Sequence, residues 1–217
     1  MDDINPKISR DDYWEQPQLY FNCHILQCPE TLKSKSLIND SLFDYYSLYE
    51  MPIAIPNQVC IPQIGIFIFH TTTTETFQNA SKHCQHYMSK DDTNYQSHHC
   101  GNLAHIASVK RSTALANIIK EYNEQQTQLN LKPKIYLAYV GLVYNRTRSQ
   151  RFQMFNMDDE SLECYNYRAW EPGNPIMKAE LRNSSCVALT THGTWRTVDC
   201  RRKLSFFCEI LTECFDN

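Results

Sequence analysis

Glycine is scarce in this chain, five residues in 217, which removes the material from which phosphate-cradling loops are built. No phosphate loop, nucleophile elbow or Ser-His-Asp order is visible, so nucleotide-driven and acyl-transfer chemistry have no footing here. A surplus of one charge is missing as well. The 21 basic and 24 acidic residues leave a formal charge of -3, without the basic footprint that a nucleic-acid partner requires or a like-charge block for an anionic membrane surface. Long apolar runs are lacking: residues 61–69 are far too few to cross a bilayer, so no membrane insertion is expected within this sequence. The opening Met1-Asp-Asp-Ile-Asn-Pro has neither the basic start nor the apolar stretch of a secretory leader. Internal repeats and low-complexity tracts are absent too.

What the chain has in excess is cysteine. Ten of them, an even number, argue for an oxidising compartment and a disulfide framework. The glycosylation sequons at Asn39, Asn79, Asn145 and Asn183 point the same way. Set against the missing leader, this leaves a chain whose leader has been removed, a fragment of an ectodomain, or a cysteine-rich cytosolic protein. The cysteines favour the first two, and a secreted or extracellular location is expected. The groups His83-Cys84-Gln-His86 and His98-His99-Cys100 lack the paired Cys-x-x-Cys spacing of a zinc site, so they read as disulfide cysteines flanked by surface histidines. The same objection applies to Cys23-His24 with Cys28. Asp158, Asp159 and Glu160 read as a solvated acidic cluster, not as paired catalytic carboxylates. Neither an enzyme activity nor a cofactor is expected.

Residues 1–58 show no sustained period and are punctuated by Pro6, Pro17, Pro29, Pro52 and Pro56, the texture of an irregular arm. Such a short stretch buries too little surface to be a domain alone. Residues 59–214 are expected to form one. Residues 64–70 are β-branched and aromatic, suited to a strand. The threonines 71–74 then serve as the N-cap of a helix whose apolar stripe is Phe77, Ala80, Cys84 and Tyr87. After a polar loop over 89–100, Ser108 caps a second helix with the stripe Leu115, Ile118, Ile119 and Tyr122. Residues 135–142 form a nearly continuous apolar strand, and short strand-like segments follow at 186–189, 194–198 and 204–210. Cys186 and Cys200 flank a Gly-Thr-Trp turn, so a bridge between them would staple the two arms of a loop.

Several motifs, taken together, carry a resemblance. Thr76-Phe77 with Ala80 and Cys84, Gly101-Asn-Leu103-Ala104-His-Ile106, Tyr139-Val140-Gly141-Leu142, Trp170-Glu-Pro-Gly-Asn-Pro175, Cys186-Val187, Gly193-Thr-Trp195, Cys200 and Phe207-Cys208-Glu209 follow the order of C-type lectin-like domains. The chain resembles that family over residues 60–210. The resemblance implies an α+β fold, two helices packed on small antiparallel sheets with a long loop region and disulfide staples. It implies the bridges Cys84–Cys208 and Cys186–Cys200, the first worth about 4–5 kcal/mol in the chain-entropy model. Because the first and last strands of that fold pair, it also suggests Cys60–Cys214. Cys23–Cys28 and Cys100–Cys164 are then left over. Trp170 and Trp195 stand where the family uses core tryptophans, so packing is preferred to sugar stacking.

In sugar-binding members, Glu-Pro-Asn or Gln-Pro-Asp in the long loop and Asn-Asp after the last Trp supply the oxygens that a hard cation needs. Here the triplet is Asn174-Pro175-Ile176 and the pair is Arg196-Thr197, so an alkyl group and a fixed cation replace ligands. The Asn174–Pro175 bond is of the type that tolerates the cis form. The expected function is calcium-independent recognition of a protein or glycan through the loop over 145–185, with Glu171, Asn174, Glu180, Arg182 and Arg196 as candidate contacts. Two alternatives stay open: a calcium-dependent lectin with substitute ligands Glu171, Asn174, Glu180 and Asp199, and a disulfide-linked assembly subunit that forms homo-oligomers.

Overall fold

The computed structural model describes residues 28, 58–85, 101–129, 134–145, 154–157, 160–176 and 185–211. The chain enters on β1 (Gln58–Ile61), turns through Gln63 at positive φ, and returns antiparallel along β2 (Gly65–Glu75). This strand runs further than its apolar stretch. Thr71 to Thr74, expected as a helix cap, stay extended within the strand and form the irregularity in its pairing between His70 and Glu75, as suits β-branched side chains. The capping falls to Thr76, whose hydroxyl accepts from the Asn79 amide at 3.4 Å. Helix α1 (Phe77–Gln85) then buries Ala80 and Cys84; Tyr87 lies outside the described residues.

Strand β3 (Gly101–Leu103) leads to α2 (Val109–Gln128), which is capped by Ser108 accepting from the Arg111 amide at 3.2 Å. The stripe of α2 buries Leu115 and Ile119, with Ser112, Ala116 and Asn123 beside them. Then come β4 (Leu137–Asn145), β5 (Met154–Met157), β6 (Glu160–Ser161), a single 3-10 turn (Leu162–Cys164), β7 (Ser185–Thr190), β8 (Trp195–Asp199) and β9 (Leu204–Ile210).

Strand β9 joins the parts. One edge pairs antiparallel with β2; the other is divided, β3 taking its C-terminal end antiparallel and β4 its N-terminal end in parallel. All its residues are buried, because helices and loops cover both faces. Side chains alternate across the sheet. Ile66, Ile68, Phe206 and Cys208 pack with Ala80 and Cys84 of α1, while Phe67, Phe69 and Phe207 pack with Leu115 and Ile119 of α2. The motif glycine at 141 is required by close approach: a Cβ there would stand 2.5 Å from the Leu103 carbonyl oxygen.

Buried polar groups find backbone partners, as they must. Asn123 receives the Ile135 N–H at 2.8 Å and donates to its carbonyl at 2.7 Å, fixing α2 to the start of β4. The Tyr139 hydroxyl donates toward the carbonyls of Asp199 and Arg202, 3.0 and 2.7 Å away. Burial, with the Asp199 charge adding to it, pushes this phenol up to about 12. Arg111 is an interior hub: it donates to the Ile64 and His105 carbonyls, lies over the Phe67 ring and pairs with Glu209.

The bonds Cys84–Cys208 and Cys186–Cys200 are formed, with Cα atoms 5.2 and 5.0 Å apart. The other pairings need correction. Cys60 bonds to Cys28, which rules out both Cys60–Cys214 and Cys23–Cys28. The reason is topological: Cys60 sits on β1, and β2 lies between β1 and β9. The strand that pairs with β9 is therefore β2, not the strand that carries Cys60. Cys164 is exposed with a free thiol, so Cys100–Cys164 is not formed; the 3-10 turn presents Cys164 outward to solvent. Cys23, Cys100 and Cys214 lie outside the described residues.

Candidate ligand-binding face

The strongest cluster of predicted contact residues lies where the segment 169–176 closes the outer edge of β8. Trp170 to Pro175 begins as a bridge: the Trp195 N–H donates to the Ala169 carbonyl at 2.7 Å, and the Glu171 N–H to the Trp195 carbonyl at 3.0 Å. Pro172 and Gly173, the latter at φ 80°, then make the turn such residues favour, closed by the Asn174 N–H on the Glu171 carbonyl at 2.9 Å. The Asn174–Pro175 bond is cis.

Asn174 completes the edge with its side chain. Its Oδ1 accepts the Thr197 N–H at 2.9 Å and the Thr197 hydroxyl at 2.7 Å, while the Ile176 N–H donates to that hydroxyl at 3.0 Å. Beneath, Trp195 is fully buried and donates Nε1–H to Ser112 of α2 at 3.2 Å, with Tyr167 and Trp170 set edge-on to its ring. The rim therefore rests on a tryptophan anchored in the core.

On this footing Glu171 and Arg196 meet. Arg196 Nε donates to Oε2 at 2.5 Å and its terminal nitrogen to Oε1 at 3.1 Å, the two-pronged geometry that guanidinium and carboxylate share. The Thr194 hydroxyl adds a 3.4 Å bond to Oε1. The Arg196 hydrogen bond holds the Glu171 carboxyl below its usual range, and the same bond raises the guanidinium. The Glu171 side chain is 18% exposed, that of Arg196 47%, so the arginine is the part a ligand would meet. Ile176, partly exposed, and His192 border the cluster.

A divalent cation at this rim would need free carboxylate and amide oxygens. Both Glu171 oxygens are taken by Arg196, Asn174 Oδ1 already accepts two hydrogen bonds, and Ile176 brings an alkyl chain. These residues do not fit such an ion: a guanidinium stands against the one carboxylate. Asp199, a proposed substitute ligand, sits at the far end of β8 with its carboxylate engaged by Arg201 at 2.8 and 3.2 Å, which holds its pKa down. Among the described residues no three His, Cys, Asp or Glu side chains are grouped for a metal.

The structure thus brings together Glu171, Asn174 and Arg196. Glu180, Arg182 and the sequons at Asn39 and Asn183 lie outside the described residues. Asn79 is exposed on α1, donating to Glu75 at 3.2 Å, and Asn145 ends β4 opposite Met154. Sequence reasoning missed the pairing of Glu171 with Arg196 and the supporting hydroxyls of Thr190 and Thr194, 2.7 Å apart. The visible signal was Arg196, the fixed cation that follows the last tryptophan of the motif.

No protein-family model matches the chain, and no curated protein matches its sequence. Solved structures do match. Human lithostathine superposes with a TM-score of 0.50 at 22% identity, covering 71% of this chain and 96% of its own. CEL-IV gives 0.52 at 18% identity over 75% and 96%. The C-type lectin CEL-I from Cucumaria echinata gives 0.52 at 16% identity over 73% and 98%.

Proposed function

From the premise that this chain has the C-type lectin-like fold, we propose that it is an extracellular binding module recognising a protein or glycan without calcium. An arm over residues 1–58 tethers or docks a single domain over 59–214, which binds its partner through the 171–176 segment and β8 and performs no chemistry of its own. Disulfides across the domain support an oxidising location. One observation carries the calcium-independent reading: Arg196 occupies both oxygens of Glu171, the carboxylate a rim cation would need. The test is binding to glycan and protein arrays in calcium and in chelator, paired with thermal unfolding under both conditions. Equal binding and an unmoved midpoint are expected; a ligand specific to the folded state would raise the midpoint. A rise with calcium, accompanied by calcium-dependent glycan binding, would replace this reading with the substitute-ligand lectin.

A second reading rests on Cys164, whose thiol is exposed and free. An oxidising compartment would let it link two copies, making the chain a covalent assembly subunit. A non-reducing gel decides this: dimers that collapse on reduction and vanish in Cys164→Ser support it, and a monomer removes it.

A further inference from the structure

We propose that the Arg196 guanidinium does the structural work of a divalent cation at this rim, a tethered positive charge that holds the 171–176 segment against β8. Four features converge. The segment meets β8 through one main-chain bridge, and its tip is joined by side chains: Glu171 to Arg196 and Thr194, Asn174 to Thr197. Every one of those side chains offers an oxygen except Arg196. The oxygens come from a carboxylate, an amide and hydroxyls, a set of the kind hard cations take. And Arg196 places its donors on the carboxylate from the neighbouring strand, so the charge cannot diffuse away.

The consequence deepens the proposed function and rests on it: the ligand meets a face already assembled in the free protein, whatever the calcium concentration. It also meets guanidinium N–H groups that Glu171 leaves unused, which suit a partner bearing a carboxylate or sulfate.

Hydrogen exchange of the full-length, ligand-free protein tests the tether by itself. The Glu171 and Thr197 amides report it, because both donate across the junction. In the native chain their protection should be equal in calcium and in chelator. Arg196→Gln should speed their exchange roughly five- to tenfold without a calcium response, and the swap Glu171→Arg with Arg196→Glu should recover protection. Arg196→Asp, which exchanges the fixed cation for a carboxylate, should regain protection only when calcium is added. Unchanged exchange in Arg196→Gln would overturn the proposal, as would calcium-dependent protection in the native chain or an Arg196→Asp variant indifferent to calcium. Failure of array binding with these exchange results intact would count against the functional reading alone.

Discussion

Among the described residues, two Arg–Glu pairs stand in very different settings. Arg111 and Glu209 join α2 to β9 inside the fold, with side chains 21% and 11% exposed, whereas Arg196 and Glu171 join a loop to β8 at the rim, 47% and 18% exposed. The interior arginine is also bound to two carbonyls and lies on an aromatic ring. The rim arginine has water on one side. Removing a partner from the interior pair strands a charge among apolar neighbours, while at the rim solvent absorbs the loss. One pair is thus a matter of global stability and the other of local order.

The largest effect should come from breaking the interior pair. Arg111→Met leaves Glu209 without its cation and should cost about 3–5 kcal/mol in denaturant unfolding. Adding Glu209→Leu should recover only part of that, because the His105 amide, 3.1 Å from Glu209 Oε2, then loses its acceptor. A smaller loss near the same layer tests whether backbone proximity matters as much as charge. Gly141→Ala should cost about 1–3 kcal/mol by forcing β4 away from the Leu103 carbonyl.

Acid should separate the two regions further. His70, stacked on Phe206 with ring centroids 4.3 Å apart, is lowered by burial, and then by His83, from 6.5 to about 4. The unfolded chain therefore takes up a proton that the folded one refuses. Stability is full above 6.5 and falls as the pH drops toward 4. Midpoints measured from neutral pH down to about 5 should decline, and His70→Phe should flatten that slope. The rim behaves differently. Glu171 has its pKa lowered from 4.5, so its contribution is present above 4.5 and is lost only as pH falls through the folded value. The smallest effect belongs there: Glu171→Gln should change global stability by less than about 1 kcal/mol. A larger loss would mean that the rim is part of the cooperative core.

Much of the scaffold could be read from the chain because it is written in local periods. The α2 stripe with its Ser108 cap, the apolar runs of β4 and β9 and the Gly-Thr-Trp turn before β8 all announce themselves within a few residues. What was misread depends on partners distant in sequence. Thr71 to Thr74 look like a cap but extend a strand, bulging between the pairs that His70 and Glu75 make with Phe206 and Leu204 of β9. Cys28–Cys60 followed from an extra edge strand that no periodicity announces in four residues. Asn123 is an ordinary polar residue of a helix until the Ile135 backbone meets it. At the candidate site the motif positions of Glu171, Asn174 and Arg196 were legible. Their mutual satisfaction was not, since an ion pair spanning a loop and a strand leaves no local pattern.

The placement of β9 also sets an order of events during synthesis. Cys84 waits 124 residues for Cys208, and β2, β3 and β4 all pair with a strand that emerges after them. Until residues 204–210 have been made, α1 has no disulfide partner and the apolar faces of those strands have no common neighbour. The early chain must therefore be kept from sticking to itself or to other chains while it waits. Closure is a late event of high contact order, and a ribosome that stops short of β9 releases a polypeptide whose β2, β3 and β4 lack the strand they all pair with.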